Sequence, residues 1–309
     1  RVRFFALRAR PWETPPMRRG LQILGLGATL AATACQSADA APREPAGRSE
    51  THRAKGRRVQ HAVAAPCPKE MAAIGAVCVD RWEAHLVIVE GERTATHPHT
   101  KRPPGRQAGR EIVARSAPGV FPQAYVSRVE ASAACAAAGK RLCTLREWYR
   151  ACRGSSKGVY PWGTQGESGR CNSGKAHLLS RLFGRDSKRW TLVSHFNSPL
   201  LNAEPGFLAK TGAHAGCAAD NGTHDMVGNL HEWVSDIVDD QMPSKLPVLE
   251  DIVGKIRINR GNAIFMGGFY STVAEHGEGC TYLTPGHQAT YHDYSTGFRC
   301  CKAVVAGAP

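Results

Sequence analysis

The chain has 309 residues, with 40 Lys and Arg against 26 Asp and Glu, a formal charge of +14. Residues 1–66 hold 12 of those cations and 4 of the acids, so the remainder carries only +6, too modest and dispersed to argue for a nucleic-acid partner. From Cys67 onward about 240 residues remain, enough for one substantial core without a second domain.

Residues 1–16 show no apolar periodicity and are read as untranslated or disordered. Met17 opens a different segment: Arg18 and Arg19, the apolar run Leu21 to Ala34, then Cys35. That order is the order of a secretory signal peptide over 17–35, and the run is too short for a transmembrane helix. Two endings compete. Ala32-Thr33-Ala34 suits ordinary cleavage, whereas Ala34-Cys35 resembles a lipoprotein box without its usual leucine. Of the eleven cysteines, setting Cys35 aside leaves an even ten between Cys67 and Cys301, which favours lipidation of Cys35. The expected place is the cell envelope, periplasmic or anchored to the outer membrane by lipid. Residues 36–66 are rich in Ala, Pro, Arg and Ser and form a flexible linker.

The folded domain is expected over 67–309. Ten cysteines behind an export signal form a disulfide framework, with Cys67 to Cys78 an obvious local pair. Cys67 to Met71 followed by Cys78 to Glu83 alternates in the manner of an opening strand that ends at Glu83, for which a structural salt bridge is expected rather than catalysis. Residues 90–122, rich in basic residues and Pro, predict an irregular solvated excursion. Ser127-Arg128-Val129-Glu130 has the form of a capping box and opens a helix that Gly139 ends. Thr144-Leu145-Arg146-Glu147 repeats it, opening a second helix that stops at Gly154.

His224 to Asp236 places three carboxylates, two histidines and a glycine among Met226, Val227, Leu230 and Trp233. Asp225 and Glu232 are hard oxygen ligands, and Gly228 lets the chain turn so that main-chain carbonyls join the same shell, as calcium prefers. The alternative is a buried turn whose carboxylates accept from backbone amides.

Asp225 to Asp236 resembles the "DMVGNVWEWVSD" signature of the formylglycine-generating enzyme family, also called the sulfatase-modifying-factor domain, with His231 where an aromatic is usual. Further blocks are similar in order: the strand ending at Glu83, Val126 to Gly154, Tyr160-Pro161-Trp162-Gly163, Cys171-Asn172, Met266 to Tyr270 and Gly297-Phe298-Arg299-Cys300. Cys143 and Cys152 depart from the pattern and suggest an extra disulfide nearby. The resemblance covers Cys67 to Cys301 and implies an α+β fold of the sulfatase-modifying-factor, C-type-lectin-like kind, with little regular sheet and several disulfides.

It also implies calcium held by Asp225, the carbonyls of Gly228 and Leu230, and Glu232, and a second site beginning at Asn172. The family's oxidase chemistry uses Cu(I) on two cysteines spaced C-x4-C. Here Cys280 stands at the second position, the catalytic candidate, but Glu275 stands at the first, a hard ligand unsuited to Cu(I). Pairing of Cys280 in a structural disulfide, with Cys300 or Cys301 available, is the favoured expectation. Another arrangement would hold copper or iron on His276, Cys280, His287, His292 and Asp293, although their spacing matches no ligand pattern and loop histidines explain them more simply.

Two functions therefore compete. One is an exported, calcium-stabilised module that binds a peptide, glycan or envelope protein. The other is an oxidoreductase of the same family with an altered metal site. The substrate or ligand would be set by the insertions at 90–122, 174–221 and 237–258.

Overall fold

The computed structural model describes residues 67–105, 107–242, 259–272 and 276–304. The leader, Cys35, the 36–66 linker, Glu275 and most of the 237–258 insertion lie outside the described residues.

The opening strand is a hairpin. β1 (Met71–Ile74) and β2 (Val77–Asp80) pair antiparallel, Met71 opposite Asp80, with Gly75 at φ +66° in the turn. The Cys67–Cys78 disulfide ties its entrance to β2. β3 (Ala84–Glu90) pairs antiparallel with β4 (Arg93–Thr96) on one side and β5 (Glu111–Ser116) on the other. The 90–122 excursion is therefore more ordered than its Pro and basic content predicts. Thr94 and Thr96, and then Ile112 and Val113, supply β-branched side chains at pairing positions, and that outweighs the flanking breakers.

Both capping boxes form. Before α1 (Arg128–Ala137), Ser127 Oγ accepts from Glu130 N at 3.3 Å and Ser127 N donates to Glu130 Oε2 at 2.8 Å. After the short strand β6 (Arg141–Leu142), Thr144 and Glu147 exchange the same two bonds, at 3.2 and 2.8 Å, to open α2 (Leu145–Arg153). Gly154, at φ +54°, ends it. The stretch that follows holds the short helices α3 (Leu178–Phe183) and α4 (Leu200–Ala203).

β7 (His231–Ile237) leads the second half, followed by β8 (Ala263–Met266), β9 (Leu283–His287), β10 (Thr296–Phe298) and β11 (Cys300–Ala303). Three small sheets result among the described residues, in the orders β1-β2-β11-β6, β10-β7-β8-β9 and β4-β3-β5. The Gly297-Phe298-Arg299-Cys300 block is divided between two strands at Arg299. β10 runs parallel to β7 in the second sheet, and β11 runs antiparallel to β2 and β6 in the first. Arg299 is the residue at which the chain passes from one sheet to the other.

Trp148 of α2 sits in a core with Val79, Met226, Ile264 and Met266. A second cluster joins Leu86, α1 and Trp233, and a third gathers Tyr125, Leu178, Leu201, Leu230 and Tyr270. Residues 174–221 thus contribute buried anchors as well as surface.

All ten domain cysteines are paired: Cys67–Cys78, Cys135–Cys300, Cys143–Cys301, Cys152–Cys280 and Cys171–Cys217. Neighbouring residues of a strand point to opposite faces, so Cys300 and Cys301 reach different partners, one on α1 and the other just before α2. No helix among the described residues is long and apolar enough to cross a membrane.

Candidate functional site

The His224–Asp236 turn is built on unusual backbone. Asp225 and Asn229 have φ of +56° and +58°, and Gly228 has +80°. A Cβ on Gly228 would lie 2.3 Å from the carbonyl oxygen of Asn172, so only glycine allows this approach. The turn binds the Cys171-Asn172 segment: Asn229 N donates to Asn172 O at 2.8 Å, and Asn172 Nδ2 donates to Asn229 Oδ1 at 2.7 Å.

Asn229 is the hub. Its Oδ1 also accepts from Ala209 N at 3.0 Å, and its Nδ2 donates to Glu83 Oε2 and to Ala209 O. Glu83 accepts from Leu230 N through its other oxygen, at 3.1 Å. Its role differs from the salt bridge expected of it: this carboxylate clamps the turn by accepting hydrogen bonds from an amide side chain and a backbone N–H.

Glu232 departs from its expected role more sharply. Its Oε2 accepts from Arg299 Nε at 2.6 Å and from Trp148 Nε1 at 2.7 Å, while Oε1 accepts from Arg299 Nη2 at 2.7 Å. A carboxylate bound on both oxygens is the acid of a buried ion pair, so it does not fit the open calcium ligand that the motif implies. Arg299 extends the network to the carbonyls of Asp80 and His224, at 2.9 and 2.8 Å. Asp225 accepts from Gly212 N at 2.6 Å.

Three buried carboxylates, Glu83, Asp225 and Glu232, thus surround one guanidinium. Burial, and then the charges of Asp225 and Glu232, push Glu83 well above the ordinary carboxylate range. Burial likewise raises Asp225 to about 6. Asn172 Oδ1 is buried without a hydrogen-bond partner. Among the described residues no group of three or more His, Cys, Asp or Glu side chains is arranged to hold a metal ion.

Next to this network lies a groove of about 180 Å³, lined by Tyr160, Ser173, Gly228, Phe269, Glu278 and Tyr282. Cys280 belongs to the structure beside it. The residue is fully buried, its N–H donates to Val159 O at 2.7 Å, and its sulfur is bonded to Cys152 on α2. The structural disulfide is as expected, but its partner is Cys152 rather than Cys300 or Cys301. Those two adjacent cysteines are taken up by Cys135 and Cys143. An oxidised Cys280 offers no thiolate, so it does not act as a nucleophile or a Cu(I) ligand in this state.

The histidines considered for copper or iron go to separate partners. His276 Nδ1 contacts Thr284 Oγ1 at 3.0 Å, His287 stacks on Tyr291, and His292 Nδ1 meets Asn197 Oδ1 at 2.7 Å. Asp293 accepts from Tyr291 and Ser295. His231, which stands in an aromatic position, packs against Phe265, Phe269 and Tyr282 with Nδ1 unpartnered. Burial, reinforced by His287 and His276, drives it well below the usual histidine range.

Asn229, Arg299 and Trp148 lie within the motifs, which alone assign them no role. Their signal lay in position: Asn229 beside the turn glycine, and Arg299 and Trp148 as polar groups inside otherwise apolar blocks that need partners when buried.

A family model, the sulfatase-modifying factor enzyme 1-like domain, matches residues 72–304, and the chain belongs to that family. Curated relatives include inactive C-alpha-formylglycine-generating enzyme 2 of Bos taurus, 37% identical over 117 residues that cover 37% of this chain and 33% of the relative. The Mus musculus protein of the same name is 34% identical over 117 residues, covering 37% and 32%. The chain thus spans about a third of the length of these relatives. Among solved structures, PvdO from Pseudomonas aeruginosa is similar with a TM-score of 0.40 and 14% identity, covering 74% of this chain and 80% of that one. Treponema denticola variable protein 1 has a TM-score of 0.30 and 16% identity, covering 53% and 48%.

Proposed function

We propose that this protein is a non-catalytic, exported binding module of its family, and that the groove beside Cys280 receives an extended peptide segment. The Cys152–Cys280 disulfide carries this reading, because it ties up the one cysteine placed to serve the family's copper chemistry. Glu275 at the other cysteine position removes the second soft ligand. The names of the curated relatives, which describe those proteins as inactive, point the same way.

The groove suits a peptide in two respects. Gly228, Gly267 and Gly279 bring backbone to its surface, and Tyr160, Phe269 and Tyr282 give apolar faces beside the Glu278 carboxylate. Five disulfides support folding in an oxidising compartment, and lipid on Cys35 is part of the same proposal. Calcium belongs to it as a stabiliser. The buried Asn172 Oδ1, which has no hydrogen-bond partner, is the oxygen that would take part in holding it.

The test pairs an anaerobic Cu(I) titration with binding to an immobilised peptide library. The expected result is no stoichiometric copper, no aldehyde formed on a cysteine peptide, and peptide binding that Ser173→Trp abolishes by filling the groove mouth. Copper at one equivalent with aldehyde formation would establish the oxidoreductase reading instead. Binding of glycans but not of peptides would keep the groove and replace its ligand.

A further inference from the structure

A second cleft lies beside the C-terminal end of α2, with a volume of about 530 Å³ and a lining distinct from that of the groove beside Cys280. Ile74 and Tyr149 give it apolar surface, and Arg150, Arg153 and Lys157 line it as cations. Asp220 is the one acid in the lining, and it is already engaged: it accepts from Ser155 N at 3.0 Å and from Ser155 Oγ, which hold its carboxyl below the ordinary value.

None of the three cations has an acidic partner among the described residues. Arg153 is fixed in place. Its Nη1 donates to Tyr149 Oη at 3.3 Å, its Nη2 donates to Ser156 O at 2.7 Å, and its guanidinium carbon lies 5.4 Å from the centre of the Tyr149 ring. Its Nε is buried and has no acceptor.

Favourable charge at a helix C-terminus explains part of this arrangement, since Arg150 and Arg153 fall in the last turn of α2. It does not explain the rest. Lys157 stands beyond the helix, and two carbonyls of that turn are already engaged. Arg150 O accepts from Gly154 N, and Ala151 O accepts from Asn221 Nδ2 and Thr223 Oγ1.

We propose that this cleft binds a small phosphate monoester, its dianionic head on Arg150, Arg153 and Lys157 and its apolar body against Ile74 and Tyr149. Guanidinium groups match the oxygens of phosphate in paired hydrogen bonds, and a lysine adds a mobile point charge. The surplus of two positive charges over Asp220 favours a dianion over a monocarboxylate. The volume lies within the range of small-molecule sites.

Isothermal titration calorimetry of the full chain at low ionic strength, with phenyl phosphate and with benzoate, tests this. Phenyl phosphate is expected to bind at a single site, and more tightly than benzoate. The double variant Arg150→Gln/Lys157→Gln, which changes two exposed side chains and leaves the core alone, is expected to weaken it by about tenfold or more. Ser173→Trp, in the other groove, is expected to leave it unchanged. Absence of saturable binding, equal affinity for benzoate, or full affinity in the double variant would each overturn the proposal.

Discussion

Arg299 grips Glu232 through two hydrogen bonds of 2.6 and 2.7 Å, with the side chains 0% and 1% exposed. Arg299 stands where the chain changes sheets and Glu232 lies on β7, so the pair fastens the two sheets together. Removing Glu232 takes both carboxylate acceptors from the buried Arg299 guanidinium and leaves it only the more distant charges of Glu83 and Asp225. Glu232→Gln is expected to cost about 3–5 kcal/mol in urea unfolding. Replacing both by apolar residues, Arg299→Met with Glu232→Leu, should recover part of that loss. A cost near zero for Glu232→Gln would show that the ion pair is not what fastens the sheets.

His231 should make the domain acid-sensitive. Its folded pKa lies well below its ordinary value because of burial, so it stays neutral in the fold while the unfolded chain takes up a proton below about pH 6.5. Stability from this residue is therefore present above that pH and falls as pH drops. His231→Phe, which restores an aromatic between Phe265 and Tyr282, is expected to flatten the acid limb of a thermal-melt series from pH 7.5 to 5. Parallel curves for the two proteins would refute this.

The Gly228 turn offers a strict steric comparison. Gly228→Ala combines a positive φ with a Cβ 2.3 Å from Asn172 O, whereas Gly109→Ala has a similar φ of +74° and nothing within 4 Å. The control should lose about 1 kcal/mol from backbone strain alone, and Gly228→Ala should lose clearly more, about 2–4 kcal/mol. Equal losses by chemical denaturation would mean that the Asn172 contact yields freely.

Calcium held at Asn172 Oδ1 is expected to raise the melting temperature at pH 7.5, and EDTA to reverse it. A rise of about 3 °C for each kcal/mol is the expected scale for a domain of this size. The effect should disappear in Asn172→Ala. A melting temperature indifferent to both calcium and chelator would remove the metal from the account.

What was legible in the sequence was what is decided locally or by a long motif. Ser127 with Glu130, and Thr144 with Glu147, specify two helix starts within four residues each, and both formed. The pairing of Cys67 with Cys78 was readable for the same reason. Partners set by the fold of distant segments were not. Cys280 pairs across 128 residues with Cys152, and no spacing rule chooses that over Cys300. Glu83 meets Asn229 across 146 residues, so its hydrogen-bonding role stayed hidden behind the simpler idea of a salt bridge. The strands inside 90–122 were masked by Pro and Arg around them, although Ile112 and Val113 carried the β signal. The motif's letters allow its carboxylates to be ligands, but Arg299, 67 residues further on, decides what Glu232 does.

Peptide mapping by mass spectrometry tests the central claim most directly, on the purified protein digested without reduction after free thiols are blocked. A linked peptide joining Cys152 to Cys280, with no blocked thiol among the ten domain cysteines, is the predicted result. Cys280 recovered with the blocking group attached, beside an equally free Cys152, would contradict it and return the chain to the oxidoreductases of its family.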